Sequence, residues 1–188
     1  SKLLEDSSSE VQGLALKCLS PLFGRLDKKP AELLISQLLD FALKSSKVPS
    51  KSTSIDVTIG LKSMRDVASL GLKSILTEAD PQSDAARAIS ERMLPRLEEA
   101  IRSSREENQI EALELMNDVL ASMGTRVSSH HESISSTVLP ILESTRPIMR
   151  KRAISCLSSL SAVCNDQLFD KIASTLIKML QSARAAEK

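Results

Sequence analysis

Apolar residues recur every three or four positions along most of the chain, which is the spacing of amphipathic helices. Leu16, Leu19 and Phe23, for example, lie on one side of a helix that begins near Glu10. Strict apolar–polar alternation, the mark of strands, is essentially absent. The pattern therefore predicts an all-α protein with eight helices. The first begins near Glu10, and the others extend over about Pro30–Lys44, Met64–Leu76, Pro81–Ser104, Glu106–Met123, His131–Glu143, Pro147–Cys164 and Gln167–Ala183.

A small residue occupies the same place in every second predicted helix. These residues are Ala15, Gly71, Ala112 and Ala153, and the last three are each 41 residues apart. Two helices per repeat of about 40 residues is the HEAT/armadillo pattern. We expect a HEAT-repeat α-solenoid, a right-handed superhelix of about four antiparallel helix pairs, whose helices approach closely at the small residues.

The expected organisation is one solenoid over residues 1–188. It comprises a helix tail at 1–6, repeats at about 9–46, 60–104, 106–144 and 146–184, and a Ser/Lys-rich inserted loop at about 45–59. "KLLED" (Lys2–Asp6) matches "IKMLQ" (Ile177–Gln181) in the last helix. We therefore expect the chain to begin inside a repeat and to be a slice of a longer solenoid.

Each predicted repeat has a first and a second helix. In two of the repeats the second helix carries a proline at a matching site, Pro95 in "MLPRL" and Pro140 in "VLPIL". An interior proline costs a helix about 3 kcal/mol and bends it. Two at equivalent positions predict a shared bend and argue against a helix that starts at each proline.

The composition argues against several classes of function. The formal net charge is +1 with 26% charged residues, which argues against a nucleic-acid or membrane-surface protein that works by bulk electrostatics. Cys18, Cys156 and Cys164 all lie in apolar helical patterns, so we expect buried thiols and a reducing compartment, cytoplasmic or nuclear.

The sequence offers no good match to a known catalytic or metal-binding pattern. Adjacent His130 and His131 point about 100° apart on a helix and do not readily share a metal. The carboxylate pairs Glu98-Glu99 and Glu106-Glu107 are expected on outward faces or turns, in solvent. Phosphate-loop and nucleophile-elbow motifs are absent. We expect no catalytic, metal-binding or cofactor-binding residue, no cofactor and no small-molecule substrate.

Surface positions are the remaining candidates. The basic stretch "RPIMRKRAI" (Arg146–Ile154) is expected to form a short ion-pair ladder with the neighbouring repeat. Second helices of a solenoid line one continuous, usually concave face that binds extended protein partners. On that face we predict partner contacts, or else ordinary solvated side chains, at Arg92, Arg96, Glu99, Arg102, Lys171, Ser174 and Lys178.

Four blocks carry a family resemblance: "KLLEDSSSEVQGLALKCLSPL", "RDVASLGLKSIL", "QIEALELMNDVL" and "RPIMRKRAISCLSSL". In this order they resemble the N-terminal repeats of the cullin-associated, neddylation-dissociated protein family, over about Lys2 to Leu180. The resemblance implies a non-enzymatic regulator that binds cullin and its RING-finger subunit when cullin lacks its ubiquitin-like modifier. It also implies exchange of the adaptor and substrate-receptor modules of the ubiquitin ligase. From the composition we expect no nucleic-acid or membrane partner, and we expect the fragment to be monomeric. The alternative is an unrelated HEAT scaffold of the transport-receptor or phosphatase-scaffold type.

Overall fold

The structure is a computed structural model. It describes residues 11, 14, 15, 18, 21–43, 55–78, 80, 83, 86, 88–103 and 105–186. The predicted helix tail at 1–6 lies outside these residues. So does most of the inserted loop.

The described chain is helical from end to end, with short turns and no strand. The described residues between 11 and 23 are helical. The elements that follow are α1 (Lys28–Leu43), α2 (Ile55–Glu78), a π-helical turn (Ile89–Met93) that continues as α3 (Leu94–Arg102), α4 (Glu106–Met123), α5 (His131–Val138) between two 3₁₀ segments (Gly124–His130 and Leu139–Glu143), α6 (Pro147–Ser161) and α7 (Asp166–Ala186). The all-α solenoid class is confirmed.

The helices form two layers. The first-helix layer contains α2, α4 and α6, where α4 packs between α2 and α6. The second-helix layer contains α1, α3, α5 and α7, where α3 contacts α5. The most extensive contacts between the layers run from the second helix of one predicted pair to the first helix of the next, as in α1 with α2 and α3 with α4. Helix α4 therefore packs against both α2 and α3, and helix α6 packs against both α4 and α5.

The core follows the predicted repeat. Ala112 and Ala153 are fully buried, Gly71 is buried, and Ala15 is half-buried. Their neighbours fill the space between the layers, for example Leu72, Ile75, Leu113 and Met116. The small residues occupy the positions where a larger side chain would hold adjacent helices apart.

The two prolines lie inside continuous helices, as predicted. Pro95 follows a π-helical turn and sits in the first turn of α3. Pro140 lies where α5 passes into a 3₁₀ segment. A proline cannot donate the usual i→i−4 hydrogen bond, so the helix changes its bonding pattern at each site and does not start there.

Gly124 ends α4 with a φ of +49°, a conformation that favours glycine. The chain then continues directly as the 3₁₀ segment Gly124–His130. The predicted end of this helix at Met123 is confirmed.

Two local predictions were wrong. The loop predicted at 45–59 ends earlier, because α2 begins at Ile55 and not at Met64. The four-residue spacing of Ile55 and Ile59 is itself a helical pattern, which the Ser/Lys-rich composition obscured. The three thiols are not all buried, since Cys18 is exposed and Cys164 is only half-buried.

Candidate partner-binding surface

Arginines of the second-helix layer join α1 to the next helix of that layer, the π-helical turn and α3. Arg92 donates to Glu32 at 3.1 Å, and Arg96 donates to Asp40 at 2.5 Å. Arg96 also donates to the backbone carbonyl of Ser36 at 3.1 Å. Arg92 and Arg96, both predicted partner contacts, thus bridge two successive helices while keeping part of each side chain exposed.

A buried carboxylate joins α3 to α5. Glu98 is 6% exposed and accepts hydrogen bonds from Arg102 at 3.2 Å and from the Ser133 hydroxyl. Arg102 also donates to the hydroxyl of buried Thr137 at 2.5 Å. The expectation of a solvated Glu98 was wrong, since the side chain of Ser133 and its own i+4 arginine compensate its loss of water.

The same layer continues from α5 to α7 through Lys171, whose Nζ lies 3.0 Å from Glu132. Glu99, Ser174 and Lys178 are exposed. In the described part of the chain their side chains make no ion pair. The structure therefore divides the predicted contacts into four residues that bridge neighbouring helices and three that face solvent.

The first-helix layer has its own charge ladder. Arg65 of α2 lies 3.3 Å from Glu107, and Lys73 lies 3.6 Å from Asp118. From the other side, Arg152 of α6 lies 2.6 Å from Glu114. Arg146, just before α6, pairs with Glu106. The ladder predicted for the basic stretch is confirmed, and the acidic helix α4 pairs with basic side chains of both α2 and α6.

Burial shifts two titratable groups in this layer. It raises the pKa of the Asp118 carboxyl, while Lys73 opposes the shift. It also raises the pKa of the Cys156 thiol to about 12. A thiol with so high a pKa carries almost no thiolate at neutral pH, so Cys156 is a core residue and a poor nucleophile.

A polar groove of about 740 Å³ lies where the 3₁₀ segment after α4 meets the turn between α6 and α7. Buried His131 lines it, and the ring Nε2 lies 3.1 Å from the carbonyl oxygen of Gly124. That contact engages one ring nitrogen. Among the described residues, no group of three or more His, Cys, Asp or Glu side chains is arranged to hold a metal ion.

Two further properties of the described helices bear on function, namely the pairing of their charged side chains and their hydropathy. In the described part of the second-helix layer, Lys28, Arg92, Arg96 and Lys171 each lie beside a carboxylate. Within the described part of the chain, no helix has the length and apolar character to cross a bilayer.

Comparison with known proteins gives a consistent result. No protein-family model matches the chain. It is 33% identical over 188 residues, 98% of its length, to cullin-associated NEDD8-dissociated protein 2 of Rattus norvegicus. The chain is homologous to the cullin-associated NEDD8-dissociated proteins. Protein 1 of this name from Drosophila melanogaster is 29% identical over 96% of the chain, and that of Arabidopsis thaliana is 27% identical over 97%.

The homology confirms the resemblance found in the sequence, and it covers helices of both layers. The chain matches only 14% of the rat cullin-associated NEDD8-dissociated protein 2 and 13% of the Drosophila protein. It thus corresponds to a limited segment of each relative. Sequence alone did not identify the bridging partners of Arg92, Arg96 and Arg102, because they lie 35–60 residues away.

Proposed function

We propose that this chain is a protein-binding segment of a cullin–RING ubiquitin ligase regulator. It binds cullin together with its RING-finger subunit when cullin lacks its ubiquitin-like modifier. Through the protein that contains it, it promotes exchange of adaptor and substrate-receptor modules. The observation that carries the proposal is 33% identity over 98% of the chain to a protein named for cullin association.

The architecture supports a binding role. A stack of helix pairs offers two long surfaces, and the second-helix layer exposes Glu99, Ser174 and Lys178 beside the bridging arginines. We place the cullin contact on this layer. The chain performs no catalysis in this proposal, binds no cofactor, nucleic acid or membrane, and acts as a monomer in the cytoplasm or nucleus.

The charge distribution predicts how the partner is recognised. Arg92, Arg96 and Arg102 already have carboxylate neighbours, so the surface has little unbalanced charge to attract a partner over long distances. Binding then depends on shape and short-range contacts spread over several helices, and its affinity should vary weakly with salt.

A binding titration tests the proposal. Purified cullin–RING complex, with or without the ubiquitin-like modifier, is immobilised and titrated with the chain. We expect saturable binding to the unmodified complex and at least about tenfold weaker binding to the modified one, a difference of about 1.4 kcal/mol. Equal binding to both forms would contradict the modifier dependence.

Two charge reversals locate the surface. Lys178→Glu changes an exposed residue of the second-helix layer, and Lys151→Glu changes an exposed residue of the first-helix layer. The proposal predicts a weaker complex for the first variant and an unchanged one for the second. The reverse result would place the partner on the other layer and favour a generic HEAT scaffold with a different binding mode.

A further inference from the structure

The polar groove between two neighbouring turns has the size of a ligand site. It lies where the 3₁₀ segment Gly124–His130 meets the turn that joins α6 to α7, and its volume is about 740 Å³. Ligand pockets in proteins usually measure about 300–1,000 Å³. A Cβ atom built on Gly124 would lie 3.4 Å from Cγ1 of Val163, so the two turns nearly touch. The groove is therefore formed between two helix pairs that the structure describes on both sides.

Buried His131 supplies an unused hydrogen-bond acceptor to this groove. Its side chain lines the groove, and the residue is only 4% exposed. The carbonyl oxygen of Gly124, 3.1 Å from Nε2, can only accept, so Nε2 carries the proton and Nδ1 of the neutral ring has a lone pair to offer. Nδ1 makes no hydrogen bond with a described residue, and it is not one of the polar atoms that are fully buried without a partner, such as Oγ of Ser135. It is therefore accessible to a bound molecule.

The wall formed by the start of α7 supplies hydrogen-bond donors. Oδ1 of Asn165 accepts from the backbone N–H of Leu168 at 2.9 Å. That bond holds the Asn165 side chain in place, and its Nδ2 group has no partner among the described residues. Gln167, which is exposed on the same turn, adds a second side-chain amide to the lining. An acceptor on one wall and donors on the other match the N–H and the C=O of a peptide unit.

Charge and apolar surface narrow the class of ligand. Glu132 and Lys171 also line the groove, and they pair with each other at 3.0 Å. Because these two charges compensate one another, the groove favours a neutral ligand over an ionic one. Val163 and Leu168 give the lining an apolar part, against which an aliphatic side chain can pack.

We propose that this groove binds a short extended segment of a partner protein through one peptide unit and one aliphatic side chain. A backbone N–H of the segment donates to Nδ1 of His131, and a backbone carbonyl accepts from Nδ2 of Asn165. The aliphatic side chain lies against Val163 and Leu168. In recognition of extended peptides, main-chain hydrogen bonds supply affinity and side-chain pockets supply specificity. The inference goes beyond the proposed cullin binding and does not depend on it.

An NMR titration with a blocked amino acid tests the proposal. The probe is N-acetyl-leucine N-methylamide, which has peptide N–H and C=O groups, an aliphatic side chain and no charge. Its binding to the chain is followed through the backbone amide signals of the residues that line the groove. We expect saturable shifts with a Kd on the order of 1 mM, which suits a ligand of about a dozen non-hydrogen atoms.

Free leucine is the control ligand, because it has the same side chain but a charge at each end. It should bind at least about tenfold more weakly than the blocked probe. Tighter binding of free leucine would assign the groove to a small ionic ligand and would overturn the proposal. So would the absence of saturable shifts at probe concentrations about tenfold above the expected Kd.

Two variants locate the binding. His131→Gln keeps a side-chain N–H for the Gly124 carbonyl but removes the Nδ1 acceptor, and it should weaken probe binding about fivefold or more. Ser129→Phe fills the groove from an exposed position on its rim and should weaken binding at least as much. Ser136→Phe, at an exposed position of α5 outside the groove, is the matched control and should bind the probe normally. Thermal unfolding identifies the variants that remain folded, and unchanged probe binding in either folded groove variant would overturn the proposal.

Discussion

Arg96 of α3 reaches Asp40 of α1, with its Nη2 2.5 Å from the carboxylate Oδ1. A residue predicted to contact a partner thus also joins two successive second helices. The pair is partly exposed, so it stabilises the fold by about 0.2–1 kcal/mol. Arg96→Ala should lower the free energy of unfolding by no more than about 1 kcal/mol in urea titrations.

A charge swap separates the two roles of this residue. The double variant Arg96→Asp with Asp40→Arg keeps an ion pair across the two helices but moves the cation from α3 to α1. Stability should recover relative to Arg96→Asp alone, while binding to the cullin–RING complex should stay weakened if the partner contacts Arg96. Recovery of both stability and binding would limit Arg96 to a structural role.

The Ser133 hydroxyl has a measurable role in the fold because it donates to buried Glu98. Ser133→Ala leaves that carboxylate with one donor fewer and should destabilise the chain by about 1–2 kcal/mol. Ser136→Ala is the matched control, since Ser136 lies three residues along, is exposed and donates only to a backbone carbonyl. Thermal unfolding of the two variants should differ, and equal melting temperatures would show that Glu98 does not need the serine.

Replacing the small residues of the first helices with larger ones should destabilise the fold. Ala112→Leu and Ala153→Leu add three carbon atoms at fully buried sites and should each destabilise by about 1–3 kcal/mol. Ala121→Leu, at an exposed position of α4, is the control and should have little effect. Chemical denaturation of the three variants gives the comparison. Unchanged stability in both buried variants would mean that the repeat alignment is wrong.

The three thiols should differ in reactivity. Exposed Cys18 should react quickly with a thiol reagent in the native protein, whereas Cys156, whose pKa burial raises to about 12, should react only on unfolding. Peptide-resolved labelling at neutral pH with and without denaturant measures both. Labelling of Cys156 at a native rate close to that of Cys18 would contradict the packing of α6.

Much of the architecture was predictable because it depends on local features. Gly124 marks a helix end through its backbone conformation, and the 41-residue spacing of Gly71, Ala112 and Ala153 fixes the repeat. The basic stretch before and within α6 also indicated its acidic neighbours, since such a concentration of like charge needs compensation.

The candidate surface was only partly predictable. A helical wheel shows that Arg96 and Arg102 lie away from the apolar stripe of their own helix, but it does not show which distant helix passes beside them. For the same reason the sequence predicts a solvated Glu98, whereas in the structure Ser133 and Thr137, spaced four apart on α5, contact Glu98 and Arg102. The register between helices is a tertiary property, set by packing across the layers.

We propose above that this segment binds cullin. The most direct measurement is a competition between the chain and the cullin-associated NEDD8-dissociated protein 2 of Rattus norvegicus for one immobilised, unmodified cullin–RING complex. We expect saturating rat protein to displace the bound chain. Simultaneous binding of both proteins, or no binding of the chain at any concentration, would contradict it.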